Sequence, residues 1–250
     1  PSVPSDYLYP LVDHISYRSI VFYDQIGCGR SSIPGDISSY SISQSIDDLE
    51  ILIKKLNLRR FHLYGQSFGG ILAFEYLKRV AERKDNRGYE CLSAILSSAP
   101  TNVKQVEGEA QRLLDTIKSE SKDDSDYDSD DNESNDVGEQ FRQRHQCRTD
   151  ELPEPLVQAY AGAGTVWRGT SAIPDYVASP PADGAKRMPS AMVISGEHDF
   201  VTSDCVEGWK TVFNHKFVRQ KILEGCGHHG LLERGSMYGE IVDSYFHEYD

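Results

Sequence analysis

The chain has 250 residues, 38% of them hydrophobic, and a formal net charge of −13 at pH 7; this length accommodates one core, or one core with an insertion, and leaves little room for two unrelated domains. Residues 120–136 hold nine acidic side chains against one lysine and so carry −8 of that charge, and the mildly acidic remainder offers no basic stripe for nucleic acid or an anionic membrane surface. No apolar run approaches the roughly 20 residues of a bilayer span, and Cys28, Cys91, Cys147, Cys205 and Cys226 are scattered without a CxxC pair, which predicts reduced thiols in the cytoplasm rather than a metal or redox site.

Taken in chain order, residues 19–23 form a β-branched and aromatic run that stops at Asp24 and the turn Gly27-Cys28-Gly29, the pattern of a buried strand. Over residues 43–56 the apolar positions Ile46, Leu49, Ile53 and Leu56 recur at helical spacing, with Asp47 and Asp48 early and Lys54 and Lys55 late, charges that complement a helix dipole. A strand is expected at 61–64 and a helix at 71–80, and further strands at 91–97, 191–195 and 217–223. A last helix carries Ile241, Val242, Tyr245 and Phe246 on one face. Strands alternating with helices predict an α/β fold with a mostly parallel sheet. Residues 1–99 and 190–250 then make two parts of one core, and the polar, helical stretch 100–189 is an insertion, read as a cap. Within it, residues 119–136 hold too few apolar groups to offset their ordering entropy and are expected to be a disordered loop.

Gly65-Gln66-Ser67-Phe68-Gly69 matches the G-x-S-x-G nucleophile elbow, in which a serine stands on a strained turn between a strand and a helix. The string is short, but the expected strand ends directly before it and the expected helix follows, which is the context the motif requires. A serine hydroxyl needs a base, and the base an orienting acid. Asp199 follows the strand at 191–195, and His228 and His229 follow the strand at 217–223; Ser, then Asp, then His is the chain order of α/β-hydrolases. Spacing alone leaves His228 and His229 as rival bases. His198 precedes the candidate acid and reads as packing or solvated, and the remaining histidines show no metal-ligand spacing.

The elbow, together with Phe22-Tyr23-Asp24-Gln25-Ile26-Gly27-Cys28-Gly29-Arg30-Ser31, resembles the proline iminopeptidase family of α/β-hydrolases, above all its tricorn-interacting aminopeptidase branch. The resemblance runs through nearly the whole chain outside the acidic stretch, including His145-Gln146-Cys147-Arg148 and Pro153-Glu154-Pro155-Leu156. It implies an α/β-hydrolase fold with an inserted helical cap and a triad of Ser67, Asp199 and His228, because the family's base follows a turn like Gly225-Cys226-Gly227. The Phe68 N–H would be one oxyanion donor. Pro1 resembles the last residue of the family's His-Gly-Gly-Pro motif, which implies three strands and a second oxyanion donor ahead of residue 1. One of those strands would lie between the strands ending at Tyr23 and Tyr64, and without it their ladder groups are expected to lack partners, at a cost on the order of 1–3 kcal/mol for each buried group.

The family holds its substrate's free amino group with acidic cap residues. By resemblance Asp175, in Pro174-Asp175-Tyr176, stands for one family glutamate; a solvated or capping role is its competing reading. A second family glutamate directly follows the triad aspartate, where this chain has Phe200, and Glu197 is the nearby substitute. The expected activity is therefore release of an N-terminal residue, of the proline type, from short peptides, with no metal or organic cofactor. The alternatives are an esterase or amidase acting on small acyl substrates, and an inactive hydrolase-like interaction protein that docks through its acidic loop.

Overall fold

The computed structural model describes residues 1–83, 88–123, 130–182, 188–213 and 218–250. Four strands, β1 (Arg60–Gln66), β2 (Glu90–Ser97), β3 (Ser190–Gly196) and β4 (Val218–Leu223), are hydrogen-bonded in parallel in the order β1-β2-β3-β4. The helices are α1 (Ile42–Lys55), α2 (Phe68–Arg83), α3 (Val103–Asp123), α4 (Asp130–Phe141), α5 (Glu154–Ala161), α6 (Ser203–Glu207), α7 (Trp209–Phe213), α8 (Gly230–Glu233) and α9 (Gly235–His247). Among the described residues none is long and apolar enough to cross a membrane.

Helices cover both faces of the sheet, which is why its central strands are apolar runs rather than alternating ones. Ala94 and Leu96 of β2 and Ala191 and Val193 of β3 enter one core, while Ile95, Met192 and Ile194 between them enter the other. The first core is closed by Ile46, Leu49 and Ile53 of α1, by Phe74 and Leu77 of α2, and by Trp209 and Phe213 of α7. The second is closed by Tyr238, Val242 and Tyr245 of α9. Phe74 is fully buried, and burial of such a side chain contributes about 1.5–3 kcal/mol. Helix α1 begins where its apolar periodicity predicts, and the Ser41 hydroxyl caps it by accepting the Gln44 N–H at 3.0 Å.

The expected strand at 19–23 forms no ladder. Residues 18–25 carry no regular secondary structure and pair with no strand among the described residues, β1 is the edge of the sheet, and a cavity of about 740 Å³ is lined by Ile20, Val21 and Phe22 and by Phe61, Leu63 and Tyr64 of β1. Local pattern describes what a strand wants on its faces, but a strand exists only when another lies within about 5 Å to take its N–H and C=O groups. The turn that follows is nonetheless well tied. Asp24, buried, accepts the Ser5 N–H and hydroxyl at 2.9 Å each and the Arg30 N–H at 3.0 Å, and pairs with the Arg30 guanidinium at 2.8 Å. Burial works against its charge, but these donors prevail and hold its carboxyl below the usual range.

The chain between β2 and β3 carries α3, α4 and α5. The acidic stretch departs from the expected loop at both of its ends: α3 reaches Asp123 and α4 starts at Asp130, while residues 124–129 lie outside the described residues. The two helices meet through Ile117, Val137 and Phe141, with Phe200 at the margin of this small cluster. A few apolar anchors flanking a polar run thus stabilise helix where composition alone predicts none. The five cysteines are all free thiols.

Candidate active site

Ser67 occupies the single-residue turn between β1 and α2, with φ of 53°. That left-handed conformation is costly for a residue with a side chain and is held by its surroundings: the Ser67 N–H donates to the Ser97 carbonyl at 2.7 Å. The flanking glycines permit it. A Cβ on Gly65 would lie 2.2 Å from the Gly69 oxygen, and one on Gly70 would lie 2.4 Å from the Ala99 Cβ, whereas one on Gly69 would meet nothing within 4 Å. Strand-to-helix contact therefore demands glycine at 65 and 70. Phe68 opens α2, so its N–H belongs to the first turn, where no intrahelical acceptor exists.

Asp199 lies in the loop after β3 and His228 in the loop after β4; both are buried. The structure brings them together, with His228 Nδ1 at 2.9 Å from Asp199 Oδ1. A carboxylate only accepts, so the ring carries a proton on Nδ1, and in its neutral form Nε2 keeps the lone pair. The same Asp199 oxygen accepts the Val201 N–H at 2.8 Å. Ser67, Phe68, His228 and His229 all line the cavity described above. Phe200 lies along the His228 ring, with centroids 4.4 Å apart and planes inclined by 31°, so an aromatic wall stands where the family resemblance has a second glutamate.

His229, the rival base, has other partners: Gln66 Nε2 lies 3.3 Å from its Nδ1 and the Tyr160 hydroxyl 3.3 Å from its Nε2. Burial, reinforced by the neighbouring His228, holds His229 well below the ordinary histidine value of 6.5. The unfolded chain takes up this proton below about pH 6.5 and the folded chain does not, so stability is expected to fall as pH drops through that range. The slope is up to about 1.4 kcal/mol per pH unit, levelling off once the folded-state value is passed. Urea denaturation at about pH 7 and about pH 5 checks this, and a His229→Gln variant should show a flatter pH dependence than the wild type. Measuring the difference between the two proteins removes the contribution of His62 and His145, which burial also depresses.

The loop bearing His228 is fastened on every side. Its Gly225 N–H donates to Glu197 at 2.8 Å, its Gly227 N–H donates to Glu233 at 2.7 Å, and its Gly225 carbonyl accepts Arg148 Nε at 2.9 Å. The His228 and His229 N–H groups donate to the carbonyls of His145 and Gln146 at 3.1 and 2.9 Å, which ties the loop to the chain following α4. Gln66 Nε2 donates to the His228 carbonyl at 2.8 Å, so the residue before Ser67 also holds the His228 loop. Removing the Glu233 carboxylate leaves a backbone N–H unmet: Glu233→Ala is expected to lower stability by about 1–3 kcal/mol in urea denaturation. Glu233→Gln, which keeps an acceptor oxygen, should cost less.

The two acids expected to anchor a substrate lie elsewhere. Asp175 is 83% exposed and paired with Lys104 at 2.8 Å, and Glu197 is 51% exposed and serves the Gly225 N–H. Neither lines the cavity, whose single carboxylate among the described residues is Asp250, paired with Arg18 and in contact with His62. An alignment by resemblance matches positions along the chain, but the direction of a loop side chain is set by its neighbours, here Lys104 and the Gly225 turn. Gln66, Glu233, Tyr160 and the 145–148 segment carried no signal of a role in the sequence beyond, for the last, its similarity to the family.

The family profile of the alpha/beta hydrolase fold matches residues 5–235. The chain belongs to that family. This hydrolase is 28% identical over 253 aligned positions to a proline iminopeptidase of Lactobacillus delbrueckii subsp. lactis, covering 92% of its own length and 81% of the relative. It is 35% identical over 167 positions to a proline iminopeptidase of Saccharolobus solfataricus, covering 66% of its own length and 53% of that relative. Its fold resembles the crystal structure of a proline iminopeptidase from Mycobacterium smegmatis, with a TM-score of 0.77 at 20% identity, covering 98% of this chain and 86% of the other. It also resembles an esterase from Exiguobacterium antarcticum, with a TM-score of 0.66 at 19% identity, covering 98% and 88%.

Proposed function

We propose that the hydrolase is a serine enzyme that releases an N-terminal residue, of the proline type, from short peptides through an acyl-enzyme on Ser67. The observation that carries its chemistry is the buried 2.9 Å bond between Asp199 and His228 beside a cavity that Ser67 also lines. His228 Nε2 takes the Ser67 proton as Oγ attacks the scissile carbonyl, and the Phe68 N–H donates to the oxyanion. The imidazolium, stabilised by Asp199, then protonates the leaving amine, and water attacks the acyl-enzyme by the same route. The peptidase part rests on the proline iminopeptidases it is similar to in sequence. Five free thiols suit a reducing compartment, the cytoplasm.

A second activity, hydrolysis of small acyl esters or amides, is favoured by one feature: among the described residues the only carboxylate lining the cavity, Asp250, is already paired with Arg18, while Phe200, Phe68 and Tyr160 share that lining. Fluorophosphonate labelling of Ser67 tests the shared chemistry. Proline and alanine arylamides assayed beside short acyl p-nitrophenyl esters separate the two substrates. Cleavage of the arylamides supports the peptidase, and turnover of esters alone removes it.

A further inference from the structure

Among the polar groups on the cavity wall that the catalytic scheme does not use is the hydroxyl of Tyr160 in α5. Its orientation follows from a chain of hydrogen bonds that starts beside the nucleophile. Gln66 is buried, and its Nε2 lies 2.8 Å from the His228 carbonyl oxygen, which can only accept. The amide is therefore turned with its NH₂ toward the histidine loop, while the Tyr64 hydroxyl donates to its Oε1 at 3.4 Å. The second N–H of that amide meets His229 Nδ1 at 3.3 Å. An N–H facing a ring nitrogen requires a lone pair there, so His229 carries its proton on Nε2. Burial keeps the ring neutral. Its Nε2–H then donates to Tyr160 Oη, 3.3 Å away, and the Tyr7 ring, edge-on at 5.4 Å, packs against the imidazole. Having accepted that hydrogen, the Tyr160 oxygen directs its own proton away from His229, toward the cavity it shares with Ser67. Burial raises the phenol above its ordinary value, which keeps that proton in place.

We infer that Tyr160 is a specificity-determining donor, oriented by Gln66 and His229, that hydrogen-bonds an acceptor oxygen of the substrate outside the scissile carbonyl. This rests on Ser67 as the nucleophile and is independent of whether an ester or an amide is cleaved. A donor held in one direction on the cavity wall selects a substrate bearing an ether or carbonyl oxygen there over one with plain methylene groups, because the donor is left unmet by the latter.

The test compares p-nitrophenyl butanoate with p-nitrophenyl methoxyacetate and p-nitrophenyl 4-oxopentanoate in the wild type and in Tyr160→Phe. Intrinsic reactivity differences cancel in the comparison between proteins. The ratio of kcat/KM for an oxygen-bearing ester to that for butanoate is expected to fall about fivefold in the variant for at least one of the two, the worth of one neutral hydrogen bond. An equal change for all three esters, or none, overturns the inference. Nitrogen-15 NMR of the histidines in the wild-type protein gives a readout that does not depend on the variant folding: His229 is expected as the neutral Nε2–H tautomer, and an Nδ1–H tautomer or an imidazolium overturns the orientation. Wild-type protein that fails to react with a fluorophosphonate at Ser67 would refute the parent function, whereas labelled protein with an unchanged ester ratio refutes the role of Tyr160 alone.

Discussion

Ser67→Ala is expected to lower kcat by about 10⁶-fold, and His228→Ala by a similar factor, with the double variant no worse than either single one. In the proposed mechanism the hydroxyl and the imidazole act as one unit: without Oγ there is no atom for the base to activate, and without Nε2 the hydroxyl retains its proton at neutral pH. Residual turnover would come from the Phe68 N–H and substrate binding. Alanine at position 67 inherits the same φ of 53°, so the backbone strain is unchanged and the fold should survive, as circular dichroism and a denaturation midpoint will show. Steady-state assays on whichever substrate class is cleaved give the rate. Additive losses in the double variant, reaching far below either single variant, would mean that the two side chains act in separate steps or separate places.

Asp199→Asn is expected to lower kcat by about 10⁴-fold while leaving substrate binding much less affected. The buried carboxylate does two things that an amide cannot do together. In the proposed mechanism it supplies the negative charge that stabilises the imidazolium formed when His228 takes the serine proton, and it accepts at one oxygen from both His228 Nδ1 and the Val201 N–H. In the asparagine variant the oxygen can satisfy these donors only by leaving its NH₂ where Asp199 Oδ2 is buried without a partner. The opposite rotamer points an N–H at His228 Nδ1 and moves the proton to Nε2, the atom that must be free. Either arrangement loses transition-state stabilisation. The check is kcat measured beside KM: a rise in KM with kcat unchanged would remove Asp199 from the chemistry.

Much of the architecture could be read locally. The runs at Ala94 to Leu96 and Ala191 to Ile194 are apolar because both faces of the sheet are covered, and α1 shows its buried face through Ile46, Leu49 and Ile53. Ser67 could be found because two glycines, a strand before and a helix after are all within a few positions of it. The run at 19–23 looked equally like a strand, and only the absence of a bonded neighbour distinguishes it from β1 in the described residues. The ends of the acidic stretch looked like loop because the contacts that hold them helical, Ile117 against Val137 and Phe141, are sparse and lie on either side of it.

Taken alone, the order of residues determined the α/β alternation, the turn that presents Ser67, and the succession of a serine, an aspartate and a histidine pair after β1, β3 and β4, since each depends on side-chain periodicity or on a backbone conformation that a few adjacent residues impose. Tertiary structure decided which histidine meets the carboxylate, which acids face the cavity, and what surrounds Ser67. His228 and His229 are chemically identical neighbours, and they differ because one meets Asp199, 29 positions away, while the other meets Gln66 and Tyr160. Asp175 and Glu197 were plausible anchors until Lys104 and the Gly225 turn claimed them. Hydrogen bonds and ion pairs act only over a few ångströms, and sequence distance does not measure that separation.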